Sequence, residues 1–380
     1  MKKKIISMAG LLLLSAVPAL ADAAKEAEIP APRIEENRKA LHKHEHKPGP
    51  DGSLDGLAGK LADRLKFSAL VEVEAFAGKD FAGAKTSDVN LATVELGLEA
   101  KITDLVSANV VALYEEGAED DHLIIDVGTI TLGNEGKSPF YLTAGKMYVP
   151  FGSFKSAMVS DPLTLELAET RDTALLAGFA AAGWYGSLYT FNGEVDKTGN
   201  NDTLSTFGAN LGYKLEEGDW KIDLGAGWLN QLSNSNTLLD HLATTSGTVE
   251  GFTEALALHG RLQYGGLSVM TEYVAALDAF KPGEMDFAGR GAKPKAWQLE
   301  LAYTTEVAER EVTLALGYQR TDEAVALGLP EHRYLASVGV GIFAHTTLAL
   351  EYRHDQDYDL TQGGTDESAN QVAAQLAVAF

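Results

Sequence analysis

The chain has 380 residues, 45% of them hydrophobic and 8% aromatic, with 38 glycines, no cysteine and a formal net charge of −23 from 31 basic and 54 acidic side chains. A pI near 4.7 argues against a nucleic-acid partner, which needs clustered Lys and Arg for phosphate, and the lack of Cys removes disulfides, thiol catalysis and thiolate metal sites. Beyond the N-terminus no apolar run reaches the roughly 18 residues of a membrane-spanning helix. A mean hydropathy of −0.07 still suits a spanning β-barrel, whose strands alternate lipid-facing apolar and lumen-facing polar residues.

Lys2, Lys3 and Lys4, the apolar stretch from Ile5 to Val17, and Ala19-Leu20-Ala21 follow the order of a secretory signal peptide, residues 1–21, cleaved after Ala21. Losing three lysines takes the charge from −23 to about −26. The expected route is export across a bacterial inner membrane. Residues 22–66 hold four of the eleven prolines with Arg33, Glu35, Glu36, Arg38 and Lys39, then Leu54, Leu57, Leu61 and Leu65 at spacings of three and four. This reads as a charged, partly disordered periplasmic extension ending in a short amphipathic helix. His42, His44 and His46 would share one side of an extended chain and could hold a transition metal. A solvated tether without an ordered ligand shell is the plainer reading, so no cofactor is expected.

From Phe67 the period becomes two. Phe67, Ala69, Val71, Val73 and Ala75 alternate with Ser68, Glu72 and Glu74, and the same pattern recurs in Leu348, Leu350 and Tyr352 against Glu351 and Arg353. Sixteen strands are expected, near 67–77, 88–101, 104–115, 121–132, 138–148, 174–181, 184–192, 203–214, 220–230, 251–264, 267–277, 294–305, 310–320, 332–342, 346–355 and 369–380. The fold class is therefore all-β, a transmembrane antiparallel barrel over 67–380. Connections after even strands are short. Those after odd strands are mostly longer, about 25, 20 and 15 residues after strands 5, 9 and 11, as in outer-membrane barrels with tight periplasmic turns and long outer loops.

Aromatic residues fit the same plan. Tyr114, Trp228, Tyr273, Tyr318 and Tyr352 fall near the ends of up-going strands, and Tyr213, Tyr264, Tyr303 and Phe380 near the ends of down-going ones, giving two interfacial belts. The last strand alternates Val372, Ala374, Leu376, Val378 and Phe380. Its terminal aromatic resembles the insertion signal read by the barrel assembly machinery, an expected partner along with the outer-membrane bilayer.

The third external loop carries Lys155, Asp161, Glu166, Glu169, Arg171 and Asp172. Folded inward, it would place these charges in a constriction that selects permeants by sign. Folded outward, it would be a lid or an oligomer contact. Alternation turns Glu72, Glu74, Glu95, Glu99, Asp223, Arg261, Glu300, Arg333, Glu351 and Arg353 to the lumen, where charge is tolerated. The acidic excess suggests some preference for cations.

Gly145-Lys146-Met147-Tyr148-Val149-Pro150-Phe151-Gly152, then Asp161-Pro162 and Glu169-Thr170-Arg171-Asp172, resemble the third-loop region of the LbtU-type siderophore porins. The resemblance runs from Phe67 to Phe380 and through the charged extension. It implies passive passage of a ferric siderophore across the outer membrane, hence iron uptake without energy coupling. A general cation-preferring diffusion porin and a structural or adhesive barrel are the alternatives, with a homo-oligomer among the possible assemblies. Asp240-His241 and His354-Asp355 are adjacent His and Asp pairs, and neither belongs to a hydrolase signature. The chain is expected not to be an enzyme.

Overall fold

A computed structural model describes residues 64–117, 122–133, 138–199 and 203–380. The expected signal peptide and most of the extension, including His42, His44 and His46, lie outside the described residues. The strands are β1 (Leu65–Lys79), β2 (Lys85–Lys101), β3 (Val106–Tyr114), β4 (Ile124–Leu132), β5 (Phe140–Tyr148), β6 (Arg171–Ala181), β7 (Trp184–Phe191), β8 (Thr206–Glu217) and β9 (Trp220–Leu229). They continue as β10 (Ala255–Tyr264), β11 (Leu267–Ala276), a small hairpin of β12 (Asp286–Phe287) and β13 (Arg290–Gly291), then β14 (Lys295–Val307), β15 (Arg310–Asp322), β16 (His332–Phe343), β17 (Thr346–Gln356) and β18 (Ser368–Ala379). Two short helices sit in loops: α1 (Leu163–Ala168) after β5 and α2 (Asn236–Thr244) after β9.

All strands except the β12–β13 hairpin form one closed antiparallel barrel of sixteen strands. Closure follows from the pairing of β1 with both β2 and β18, Leu70 lying opposite Ala379, and Phe380 and Ala69 exchange backbone hydrogen bonds of 2.9 and 2.7 Å at the seam. With no free edge, the ladder groups pair inside the wall except at the bulges and where β4 and β5 part. Along β1, Val73 is exposed while Glu72 and Glu74 are buried, so the outside is apolar and the charges point inward.

Connections at one end are tight, such as 182–183, 218–219, 265–266, 308–309 and 344–345; at the other end they include 149–170, 230–254 and 277–294. Two connections depart from this parity: 80–84, at the loop end, is short, and 133–139, at the turn end, is longer. Outward aromatics ring both ends. Trp184 packs on Tyr213 and Trp220 on Tyr264 at the turn end; Phe207 packs on Trp228, and Tyr318 on both Trp297 and Tyr334, at the loop end. From Trp220 to Trp228 the strand rises about 26 Å, less after tilting, which fits an apolar band about 25 Å tall.

Some boundaries move. Helical spacing puts Leu65 in a helix, but Leu65 opens β1 and pairs with Ala100, since Leu65-Lys66-Phe67-Ser68 already alternates. Strand β6 starts at Arg171, not 174, so Arg171 and Asp172 belong to the wall, where they pair with Tyr148 and Met147. Strand β10 starts at Ala255 because 230–254 contains α2. Tyr114 is only half-buried and joins no aromatic contact of the outer belt.

Topology is checked by single cysteines in a cysteine-free chain. With both termini in the periplasm, Leu360→Cys should react with an impermeant thiol reagent on whole cells, and Ala344→Cys should react only after lysis. The reverse pattern would invert the barrel.

Candidate pore constriction

The barrel's interior is shaped by residues 149–170, which leave the top of β5, cross the lumen and run along the opposite wall. Two glycines permit the crossing. A Cβ on Gly227 of β9 would lie 1.9 Å from the Phe151 carbonyl oxygen, so the loop backbone can lie directly against the wall there. Gly145, at φ +132°, would push a Cβ to 2.0 Å from the Gly128 carbonyl oxygen, which explains the glycine that opens the loop motif.

Beyond Gly152 the loop is held by wall carboxylates in steps of three residues. Ser153 and Phe154 donate their N–H groups to Glu272 of β11 at 2.6 and 2.7 Å. Ser156 Oγ and Ala157 N–H donate to Glu300 of β14, both at 2.8 Å. Val159 N–H and Ser160 Oγ donate to Glu351 of β17 at 2.6 and 2.5 Å. An extended strap inside a barrel cannot join the ladder, so its amides need side-chain acceptors, and charged ones bind most strongly. Gln319 of β15 accepts from Leu163 N–H at 3.0 Å, and the Gln298 amide of β14 donates to the Lys155 carbonyl at 3.0 Å.

Arg333 of β16 locks the far end. Its guanidinium donates to Asp355 at 2.9 Å, to Glu166 at 3.1 Å and to the Asp161 carbonyl at 3.2 Å. Helix α1 is too short to be stable alone. Its Leu163 and Leu167 are buried with Phe151, Leu232, Leu238, Phe280, Met285 and Tyr358, drawn from the loops after β5, β9, β11 and β17. Ser235 Oγ and Asn236 N–H, at the start of α2, donate to the carbonyls of Leu167 and Glu169, both at 2.9 Å. The loops at this end thus share one apolar core.

Arg333 holds Glu166, while most of the other acidic members of the candidate set gather near one another. Glu72 and Glu74 of β1 and Glu95 and Glu99 of β2 face inward on one side, Glu99 pairing with Lys66 at 3.5 Å. From the loop, Asp161 approaches Glu74, and Glu169 approaches Glu115 and Asp126. Burial, and then the negative charges of Glu166, Glu169, Glu115 and Glu74, hold the Asp161 carboxyl well above the usual range. Burial followed by the charge of Asp126 pushes Glu169 up to about 8, against the lowering pull of Arg171, and the same two causes push Glu115 up to about 7. Lys155 lies on the other flank, in a cleft with His259, Arg261, Glu272 and Gln298. Asp223 of β9 is nearby, 2.7 Å from Tyr185 Oη and 3.6 Å from His259 Nε2.

Arg171 and Asp172 are therefore at the top of β6 and not within the loop. Arg171 forms an ion pair with Asp126, which also accepts from Tyr148 Oη at 2.8 Å; this cluster fills the gap where β4 and β5 part beyond the Gly128–Lys146 pair. Asp172 accepts from Gly193 N–H at 3.1 Å. Arg353 touches Ser160 Oγ and Asp355. The adjacent His and Asp pairs are dispersed: His354 contacts Asn370, Asp355 serves Arg333, and His241 contacts the Glu284 carbonyl.

Glu272, Glu300 and Gln319 all follow the alternation rule, and the candidate set holds Glu300 but lacks Glu272 and Gln319. Asp126 was hidden. A register shift between Val111 and Ala112 leaves Asp126 unpaired on β4, so both Asp126 and Val127 are buried and the alternation fails locally.

This arrangement, a closed sixteen-strand barrel with an inward third loop, is that of the outer-membrane porins. The channel DcaP of Acinetobacter baumannii matches with a TM-score of 0.56 and 12% identity, over 83% of this chain and 97% of that one. An anion-selective porin from Comamonas acidovorans matches with a TM-score of 0.57 and 13% identity over 83% and 99%, and OprB of Pseudomonas putida with 0.59 and 13% over 86% and 96%. No family model matches the sequence. A UPF0422 protein of Legionella pneumophila strain Philadelphia 1 is 31% identical over 92% of this chain and 71% of its own length, and one from Coxiella burnetii is 29% identical over 82% and 69%. The chain belongs to the UPF0422 family.

The strap has a direct test. Replacing Glu300 and Glu351 together by Ala removes the acceptors of Ala157 and Val159, at about 1–3 kcal/mol for each buried amide left unpaired. Single-channel recordings should show larger and noisier conductance while the barrel keeps its heat-modifiable migration. Unchanged, quiet conductance would mean that these carboxylates do not hold the loop.

Proposed function

We propose that this protein is a passive diffusion channel of the bacterial outer membrane, exported by its signal peptide, that prefers cationic solutes. The observation that carries this reading is the inward acidic cluster of Asp161 and Glu169 on the third loop with Glu74 of β1, Glu115 after β3 and Asp126 of β4, whose charges act on one another. Fixed carboxylates in a narrow path attract cations and repel anions, and they are screened less than on an open surface. Glu166 and Arg171 are partly neutralised by Arg333 and Asp126, so the lining turns negative as the raised carboxyls of Glu115 and Glu169 ionise. In this reading Phe380, which closes the seam at Ala69, also serves as the assembly signal.

A ferric siderophore is the narrower permeant, supported by the likeness of the third-loop motifs to the siderophore porins. The acidic passage would favour neutral or cationic complexes over anionic ones. A structural or adhesive barrel would instead carry no current.

The pH dependence tests the acidic passage. A carboxyl whose pKa is raised is neutral below that value and charged above it, so Glu115, at about 7, and Glu169, at about 8, add negative charge as pH rises from about 6 to 9. The reversal potential in a KCl gradient should move toward the potassium equilibrium potential over that range. Glu169→Gln should flatten the upper part of the change. A reversal potential independent of pH, or one that moves toward chloride, would contradict the reading.

A further inference from the structure

The acids of the β1–β2 wall form a column with a regular step. Glu72 and Glu74 are two residues apart on β1, about 6.6 Å along the strand. Glu72 lies opposite Thr93, and Glu95 is two residues further along β2, the diagonal position at about 7–8 Å. Glu99 continues the same face of β2 and lies opposite Lys66.

The lowest position shows what fits. There the alkylammonium of Lys66 stands 3.5 Å from Glu99. Higher in the column, no ion pair among the described residues reaches Glu72 or Glu95, and Glu74 lies within the field of Arg353 without pairing with it. Glu74 accepts one hydrogen bond, from Gln375 at 2.9 Å. Glu72 is 4% exposed; its carboxyl accepts a hydrogen bond from Thr93, and its Oε2 has no partner. A buried carboxylate oxygen left unpaired beside other carboxylates is costly, and an ammonium group of a ligand would relieve it. No compact set of ligands for a metal ion occurs among the described residues, which disfavours a bare divalent ion and favours charges spread along a line.

We propose that the Glu74–Glu72–Glu95 column binds a linear aliphatic polyamine, with ammonium groups at successive carboxylates and methylenes along Leu70 and Ala92. This rests on the cation-preferring reading and narrows its permeant class. Four or five methylenes set two ammonium groups at about the carboxylate step, whereas two methylenes fall well short of it.

The test uses the full chain in a planar bilayer, with α,ω-diamines of two, four and five methylenes and Mg²⁺ as probes at equal ionic strength. The two longer diamines should reduce the potassium current at concentrations about tenfold lower than 1,2-diaminoethane or Mg²⁺, because the second contact is intramolecular. Glu72→Gln, or Glu95→Gln if the first variant fails to fold, should abolish that preference for length. Equal potency of all four probes, in a channel whose KCl reversal potential is cation-selective, would overturn the column while leaving the cation preference standing. A length preference that survives both substitutions would also overturn it. A channel without cation selectivity in KCl would remove both.

Discussion

The interior of this barrel depends on how the amides of an extended loop are satisfied away from any ladder. A barrel wall has used its own backbone groups, so a strap lying on it can bond only to side chains. Glu272, Glu300 and Glu351 supply carboxylates on three strands, and Ser153, Ser156 and Ser160 recur beside the amides they bind. The match between a loop step of about three residues and acceptors on successive parts of the wall fixes where the loop runs. Everything else in the lumen follows from that path.

The strap bonds to side chains of β11, β14, β15, β16 and β17 and leaves the inward face of β1–β4 to other side chains. The strap's carboxylate partners are hydrogen-bonded to its amides and serve structure, whereas Glu74 of β1 stands near the Asp161 carboxyl instead. The same residue type thus plays two parts, separated by whether an amide is in reach. Arg333 marks the boundary, with Asp355 on the wall and Glu166 on the loop sharing its guanidinium. The loop core around Leu163, Leu167 and Leu238 ties this arrangement to the other outer loops.

Much of the fold was legible in the sequence because a barrel repeats a single rule. Period-two alternation located the strands and put Glu72, Glu95, Glu300 and Glu351 inside, and the aromatic pattern gave both belts. The failures have local causes. Asp126 breaks the pattern because a bulge resets the alternation, Arg171 and Asp172 read as loop because a strand end carries no apolar residue to mark it, and Leu65 reads as helix because helical and strand spacings coincide over a few residues. Gly227 looked like any strand glycine, although it makes room for Phe151. Helices α1 and α2 depend on tertiary packing between loops, which no local pattern reveals. The division of the third-loop charges between an acidic and a basic flank likewise needs the path of the strap, which is a long-range property.

The central claim is that the third loop lies against the wall opposite its own strands. Ser337 Oγ of β16 donates to the Ala157 carbonyl at 3.4 Å, so these two positions are neighbours although far apart in sequence. A chain carrying Ala157→Cys and Ser337→Cys, treated with a short bifunctional thiol reagent in the folded state, should form an internal cross-link that changes migration after denaturation. An efficient cross-link between these positions is what the account predicts. A folded barrel in which both cysteines react singly with a monofunctional reagent but never link to each other would contradict it.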